Sequence, residues 1–204
     1  PHMLPKQKTW EKIMSSLGIN NSDDILIYDN SDLKSSCRCW FSLLYFGHDE
    51  KKIHVLNGGL KKWIFENKPI TKGTTEIIES SYVANKKENL VISLDQVKKN
   101  ILSKSFNVID ARSLERFEGK VSEPRKGLRS GHIQNSICLP FSLCINQKTG
   151  EFKNPEELKK IFGQYENIEK KLDLVFTCGS GVTASVLAYA YKIVNNDYIP
   201  KIYD

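Results

Sequence analysis

The sequence lacks several features that would place it in a special class of protein. Its 204 residues include only 12 Gly and 7 Pro, and no low-complexity tract is present. No apolar run approaches the ~18 residues that a membrane-spanning helix needs. A collagen-like chain, a disordered chain and an integral membrane protein are therefore excluded. The length and the 40% hydrophobic content fit a globular protein with one large domain or two small ones.

Signatures of cofactors are also missing. There is no G-x-G-x-x-G segment and no Gly-Lys-Ser/Thr phosphate loop, so we predict no nucleotide cofactor. The 5 cysteines do not form the two close pairs of a zinc site, so we predict no metal. An odd number of cysteines in a chain of this size favours a reducing compartment. We expect the cytoplasm, with the mitochondrion as the alternative because a targeting segment before Pro1 would not be seen.

The net charge is positive but it is dispersed along the chain. Thirty Lys and Arg against 24 Asp and Glu give +6. The lysines are spread over predicted helix faces, usually near acids, without an Arg-rich arm or an aromatic RNA-binding signature. We therefore expect a small anionic substrate rather than nucleic acid, and most of the charge on the solvated surface.

Short β-branched runs alternate with helical patterns. The predicted strands are 25–28, 53–56, 107–110, 136–139 and 174–177. The predicted helices are 10–17, 37–46, 60–65, 94–101, 155–162 and 182–194. Start signals at Ser93, with Gln96 three residues on, and at Asn154, before a Pro, support two of the helices. This alternation predicts an α/β fold with a parallel sheet flanked by helices.

A polar stretch separates two unequal units. Residues 70–89 are rich in Thr, Ser and Lys and have no strong period, which is typical of a connector. We therefore predict a first unit at 1–69 and a second unit at 90–204. The first unit has few strand signals for an independent sheet, so either it packs on the second unit or its beginning is missing.

The richest chemical segment runs from Thr177 to Ala184, where an apolar strand meets a helical pattern. Cys178 follows the strand, and Gly179 and Gly181 let the backbone curl so that successive N–H groups point toward one centre. The positive end of the next helix favours a thiolate, which is the nucleophilic form. The alternative is a buried, inert cysteine, but the nearby hydroxyls of a Ser and a Thr disfavour apolar burial.

Taken with other motifs along the chain, this segment resembles the active-site loop of the rhodanese superfamily. Its residues Cys-Gly-Ser-Gly-Val-Thr-Ala at 178–184 are similar to those of the 3-mercaptopyruvate sulfurtransferases within that superfamily. The motifs, in chain order, are Pro-His-Met-Leu-Pro at 1–5, Ile-Tyr-Asp at 27–29, Phe-Gly-His at 46–48, Leu-Asn-Gly-Gly-Leu at 56–60 with Trp63, Asp-Ala-Arg at 110–112, Arg-Phe at 116–117, Glu-Pro-Arg at 123–125 and Ser-Gly-His-Ile at 130–133. The resemblance implies tandem rhodanese-like units, the first without a catalytic cysteine. It also implies that this first unit is incomplete, and that an acidic residue upstream of the His at position 2 is absent here.

The resemblance implies roles for individual residues. Cys178 would be the nucleophile and sulfur carrier, Ser180 its proton-relay neighbour, and His2 would lie beside Ser180. Arg116 and Arg125 would hold the carboxylate of a 2-oxo acid, since a planar guanidinium suits that anion. The remaining predicted substrate-binding residues belong to the same loop: Gly179, Gly181, Val182 and Thr183. In contrast, we expect structural roles for Arg112, His48 and His132.

The implied activity moves sulfur from 3-mercaptopyruvate to thioredoxin, a small thiol or cyanide through a cysteine persulfide, with release of pyruvate. Thiosulfate sulfurtransferase is the first alternative, although the loop has no cation at Gly179 or Ser180 to favour departing sulfite. A C-x5-R phosphatase is disfavoured because the sixth position after Cys178 is Ala184. A non-catalytic binding module of the same fold is the last alternative.

Overall fold

Parallel strands with helices between them build both units in the computed structural model, which describes residues 3–32, 34–166 and 172–204. The elements of the first unit are α1 (Gln7–Ser16), β1 (Ile25–Ile27), α2 (Ser36–Tyr45), β2 (Ile53–Val55) and α3 (Gly59–Phe65). Those of the second unit are β3 (Val91–Ile92), α4 (Leu94–Ser103), β4 (Asn107–Asp110), α5 (Leu114–Phe117), β5 (Ile137–Cys138), α6 (Pro155–Glu166), β6 (Leu174–Thr177), α7 (Val182–Val194) and β7 (Ile202–Tyr203).

The strands form two parallel sheets. In the first unit β1 pairs with β2, Ile25 lying opposite Ile53. In the second unit the strand order is β3-β7-β6-β4-β5, and every pairing is parallel. Parallel strands require crossover connections, which the helices supply. The predicted α/β fold is therefore confirmed.

The central strand β6 is buried on both faces. The side chain of Phe176 joins the main core, which includes residues of α6 and α7. Its neighbour Val175 contributes to a smaller cluster on the opposite face, with Ile92 of β3 and Val97 of α4. Because successive side chains of a strand point to opposite faces, helices cover this sheet on both sides. The loop that follows β6 therefore leaves a strand that is packed on both faces.

Two predicted helix starts are present as reciprocal caps. Ser93 accepts a hydrogen bond from the Gln96 backbone N–H, and the Gln96 side chain accepts one from the Ser93 N–H. Asn154 and Glu157 make the same exchange at the start of α6. Each pair satisfies two backbone donors that the helix itself leaves free.

The two units pack against each other through helices. Helix α2 of the first unit lies on α7 of the second, and Trp40 meets Tyr189 edge to face with 5.0 Å between ring centroids. The main core contains residues from both units, including Trp10, Phe41 and Phe176. The first unit therefore packs on the second. This packing is one of the two explanations that the sequence left open for its small number of strands.

The connector ends against the first unit. The Ser80 N–H donates to the Ser15 carbonyl, and the Asn85 N–H donates to the Phe46 carbonyl. Tyr82 between them is buried. The proposed boundary at 70–89 stays a prediction.

Among the helices in the described ranges, none is long and apolar enough to cross a membrane.

Candidate active site

The loop that carries Cys178 leaves the carboxyl edge of the five-stranded sheet. Strands β4 and β6 are neighbours, with Asp110 paired to Thr177 at their ends. Cys178 therefore lies beside the segment that follows β4, which contains Arg112. Side chains at the carboxyl edge of a parallel sheet converge on one place, which is the usual position of a binding site in α/β proteins.

The Cys178 loop turns back over the sulfur. The Ser180 backbone N–H donates to Cys178 Sγ over 3.4 Å. Gly181 has φ +74°, a conformation that other residues rarely adopt, and α7 begins at the next residue. The N-terminal end of this helix brings partial positive charge close to the thiol. Cys178 itself is partly exposed.

A small cleft of about 200 Å³ opens at Cys178, and the predicted arginines border it. Arg125 donates from Nη1 to the Gly179 carbonyl over 3.3 Å. Arg116 lies close to the same residue, since its Nη2 would be 3.3 Å from a Cβ placed on Gly179. The other lining residues come from two segments: Glu123, Pro124 and Leu128, and Ser180, Val182 and Thr183. The structure thus brings the predicted thiol, both arginines and most of the loop residues together.

Glu123 fixes one of these arginines. Its carboxylate accepts two bonds from Arg116, at 3.2 Å from Nε and 2.5 Å from Nη2. It also accepts one from Arg112 Nη1 at 2.8 Å. The hydrogen bond from Arg116 is the main cause that holds the pKa of Glu123 below its usual value, against the effect of burial. Glu123 therefore stays ionised and orients Arg116 toward the cleft. No role for Glu123 was predicted from the sequence, although its position between Arg116 and Arg125 in the sequence could have indicated one.

Arg112 has a structural role. Its guanidinium bonds both carboxylate oxygens of Asp110, and Nη2 also donates to the Gly131 carbonyl at 2.8 Å. The Asp110 bond is the main cause that raises the pKa of Arg112. With these partners and Glu123, Arg112 ties the end of β4 to the segment around residue 131.

The histidines have different positions. The ring of His132 stacks on Phe117 at 3.8 Å between centroids, and its Nδ1 contacts the Phe117 carbonyl. His48 is buried against Tyr82 and the Asp23 carbonyl. These contacts fit the structural roles expected for both. His2 lies outside the described residues, so its predicted place beside Ser180 stays a prediction.

The other cysteines differ from Cys178 in their surroundings. Burial raises the pKa of Cys138 to about 11 and that of Cys144 to about 12. Burial also raises the pKa of Cys37. These thiols are therefore protonated at neutral pH and poor nucleophiles. Across the described ranges, no three His, Cys, Asp or Glu side chains cluster in a way that would hold a metal ion.

A second, wider depression of about 680 Å³ adjoins the cleft and shares Cys178 and Gly179 with it. Lys98, Arg129 and His132 are among the residues that border it. Cys178 thus lines both the small arginine-lined cleft and this wider depression, whose lining also includes the carboxylates of Asp110 and Glu123. The wider depression was not predicted, because α4 and the segment around residue 130 are far from the loop in sequence.

Comparisons with known proteins identify the family of this chain. The family model for the rhodanese-like domain matches residues 1–66 and 93–203. Thiosulfate/3-mercaptopyruvate sulfurtransferase 2 of Arabidopsis thaliana is 41% identical over 92% of this chain and 60% of its own length. The human 3-mercaptopyruvate sulfurtransferase is 34% identical over 100% of this chain and 67% of its own length. The chain thus spans about 60% of the length of the Arabidopsis relative.

A solved structure with the rhodanese fold is also similar to this chain. The crystal structure of SseA from Escherichia coli, described as a 3-mercaptopyruvate sulfotransferase with the rhodanese fold, superposes with a TM-score of 0.86 and 30% identity. The match covers 100% of this chain and 74% of that one. The family model and the full-length similarity together establish that the chain belongs to the rhodanese family.

Proposed function

We propose that this chain transfers sulfur from 3-mercaptopyruvate to a thiol acceptor through a persulfide on Cys178. The observation that carries the proposal is the cleft of about 200 Å³ that places the thiol of Cys178 beside Arg116 and Arg125. The names of the human and Arabidopsis relatives, which include 3-mercaptopyruvate, support this choice of donor.

The arginines bind the acidic end of the donor. The 2-oxo carboxylate of mercaptopyruvate is a planar anion, and the guanidinium fork of Arg125 presents parallel N–H donors to it. Arg116 is held in place by Glu123, so it loses little side-chain freedom when the donor binds. A cleft of this volume suits a molecule of only a few heavy atoms.

The first step is a displacement at sulfur. The Cys178 thiolate attacks the sulfur of mercaptopyruvate, and an S–S bond forms while the bond between sulfur and C3 breaks. The electron pair of the broken bond leaves on the pyruvate enolate, and the proton of the donor thiol ends on C3. Ser180, in the wall of the cleft, carries the hydroxyl that relays this proton. Pyruvate then leaves.

The loop stabilises the anionic sulfur, first as the Cys178 thiolate and then as the outer sulfur of the persulfide. The Ser180 N–H already donates to Cys178 Sγ, and the start of α7 adds its partial positive charge. Preorganised donors of this kind cost no rearrangement during the reaction. Gly179, Gly181, Val182 and Thr183 form the backbone around the outer sulfur.

The second step regenerates the enzyme. An acceptor thiolate attacks the outer sulfur, the S–S bond breaks, and Cys178 recovers its thiolate. The wide depression next to Cys178 has room for a protein thiol such as thioredoxin or for a small thiol. Cyanide attacks the same sulfur and gives thiocyanate.

Thiosulfate is the second candidate donor, because the name of the Arabidopsis relative includes it. It would deliver its outer sulfur and leave as sulfite. The cations near the thiol in this chain are arginines of the cleft wall, not residues of the loop itself. A loop with Gly179 and Ser180 therefore suits a 2-oxo acid better than a dianion.

The test is a mass measurement after incubation with mercaptopyruvate. We expect the mass of one sulfur atom on the peptide that contains Cys178, and pyruvate in equal amount. Cys178→Ser should give neither, while the control Cys39→Ser, at an exposed cysteine, should behave like the unmodified chain. A folded chain without the adduct would refute the proposal and favour a binding module.

A further inference from the structure

A buried ion pair lies directly against the Cys178 loop. Arg38, on α2 of the first unit, donates from Nη2 to both carboxylate oxygens of Asp204, at 2.9 and 2.8 Å. The exposed fractions of the two side chains are 12% and 3%. The Leu4 N–H also donates to Asp204 over 3.3 Å. Both ends of the described chain thus meet α2 at this point.

The pair is in contact with Gly181. A Cβ placed on Gly181 would lie 2.5 Å from Arg38 Nη1 and 3.0 Å from Arg38 Cζ, and it would overlap Asp204 Oδ1. Only the absence of a side chain at this position lets the ion pair approach so closely. On its other side Gly181 is held by Ser185, whose N–H and Oγ both donate to the Gly181 carbonyl.

Gly181 is the hinge between the thiol loop and α7. Its left-handed backbone turns the chain from the Ser180 N–H, which donates to the sulfur, into the first turn of the helix. A displacement of Gly181 would therefore move both backbone features that bring partial positive charge to Cys178, the Ser180 N–H and the start of α7.

We propose that Arg38 is a positioning residue for sulfur transfer: clamped on Asp204, it holds Gly181 and so fixes the loop around Cys178. This inference rests on the proposed role of Cys178. It also gives the first unit a part in the chemistry, because the residue that supports the loop belongs to α2. Arg116 and Arg125, which would bind the donor, lie against Gly179, whereas Arg38 lies against Gly181, so Arg38 should affect the reaction more than donor binding.

Two substitutions separate the parts of this role. Arg38→Met leaves the Asp204 carboxylate buried without its cation and removes the planar group beside Gly181. Arg38→Lys keeps the charge but lacks the guanidinium plane. The matched control is Lys62→Met, which breaks another ion pair between the units, with Glu151 at 2.5 Å, away from the loop.

The decisive readout is the pH dependence of alkylation of Cys178 by iodoacetamide, followed on its peptide by mass spectrometry. The charged and titratable groups that line the two openings at Cys178 are left unchanged by these variants: Asp110, Arg112, Arg116, Glu123, Arg125, Lys98, Arg129, His132 and Tyr203. We expect Arg38→Met to raise the pH midpoint by about one unit, since an unpaired carboxylate faces the loop. Arg38→Lys should fall between this variant and the unmodified chain, and Lys62→Met should show no change.

Steady-state rates with mercaptopyruvate give the second readout. We expect kcat to fall about tenfold or more in Arg38→Met and less in Arg38→Lys, with KM within about twofold in both. If Arg38→Met does not fold, Arg38→Lys decides the matter alone. Folded Arg38 variants with the unmodified alkylation profile and kcat, or equal losses in Lys62→Met, would overturn the proposal. If the unmodified chain transfers no sulfur from mercaptopyruvate, the proposed function fails, while the alkylation profile still decides the role of Arg38.

Discussion

Glu123→Gln is the substitution whose effect the structure specifies most closely. The carboxylate accepts two bonds from Arg116 and one from Arg112, and its side chain is 4% exposed. The amide oxygen of Gln can keep the bonds that reach Oε1. Its NH₂ group then faces Arg116 Nη2, so donor meets donor and the 2.5 Å bond is lost. Loss of one charge-assisted hydrogen bond in this setting costs about 2 kcal/mol of the free energy of unfolding.

The pH dependence of this loss identifies its cause. The pKa of Glu123 is lowered in the folded chain, so its ionisation stabilises the fold above the ordinary glutamate pKa of 4.5. This stabilisation disappears as the pH falls through the lowered pKa. We therefore expect a difference of about 2 kcal/mol between Glu123→Gln and the unmodified chain at pH 7, which shrinks well below pH 4.5.

Urea unfolding at several pH values measures this difference. The control is Glu156→Gln, whose partner Lys159 is exposed and whose loss should cost less than about 0.5 kcal/mol. Steady-state kinetics should also show a higher KM for the donor in Glu123→Gln, since Arg116 loses one of the two bonds that orient it. A stability difference that stays constant from neutral to acid pH would show that Glu123 acts by packing and would refute the reasoning.

Three further substitutions test the site. Arg125→Ala should raise KM for mercaptopyruvate about tenfold in steady-state kinetics, because the carboxylate loses a guanidinium partner, and an unchanged KM would place the anion elsewhere. The unmodified loop should prefer mercaptopyruvate over thiosulfate by at least about tenfold in kcat/KM. Replacing Gly179-Ser180 by Arg-Lys should shift that ratio toward thiosulfate, because it adds positive charge beside the departing sulfite. Equal kcat/KM values for the two donors in the unmodified chain would show that loop charge does not set donor choice. Gly181→Ala should cost about 2 kcal/mol or more in urea unfolding, because a Cβ there overlaps Asp204, and unchanged stability would contradict the close packing.

Much of the fold follows from local patterns in the sequence. Helix α7 has the predicted bounds, because apolar residues repeat over several turns and Gly181 precedes it. Strands β3 and β7 escaped prediction, since each has only two residues and shows no period. They become strands only because a neighbouring strand offers hydrogen-bond partners, which is a property of the assembled sheet.

The residues of the site likewise divide into those with a local sequence signal and those that only the folded chain brings together. Cys178 could be found from its neighbours, since a thiol between a strand and a Gly-Ser-Gly turn is a local signal. Arg116 and Arg125 came from a family resemblance, and their common cleft with the thiol came only from the fold. Arg38 and Asp204 are separated by 166 positions, so no spacing connects them. Long-range ion pairs of this kind depend on how α2 packs on α7.

The core that Trp10, Phe41 and Phe176 share has a consequence for how the chain loses its structure. Since the interior is continuous across both units, neither can melt without exposing apolar surface of the other. Cooperativity therefore extends over the whole described chain, and a single transition is the natural unfolding behaviour. A break in the exposed part of the connector would leave the two pieces associated, because the covalent link only raises their effective concentration.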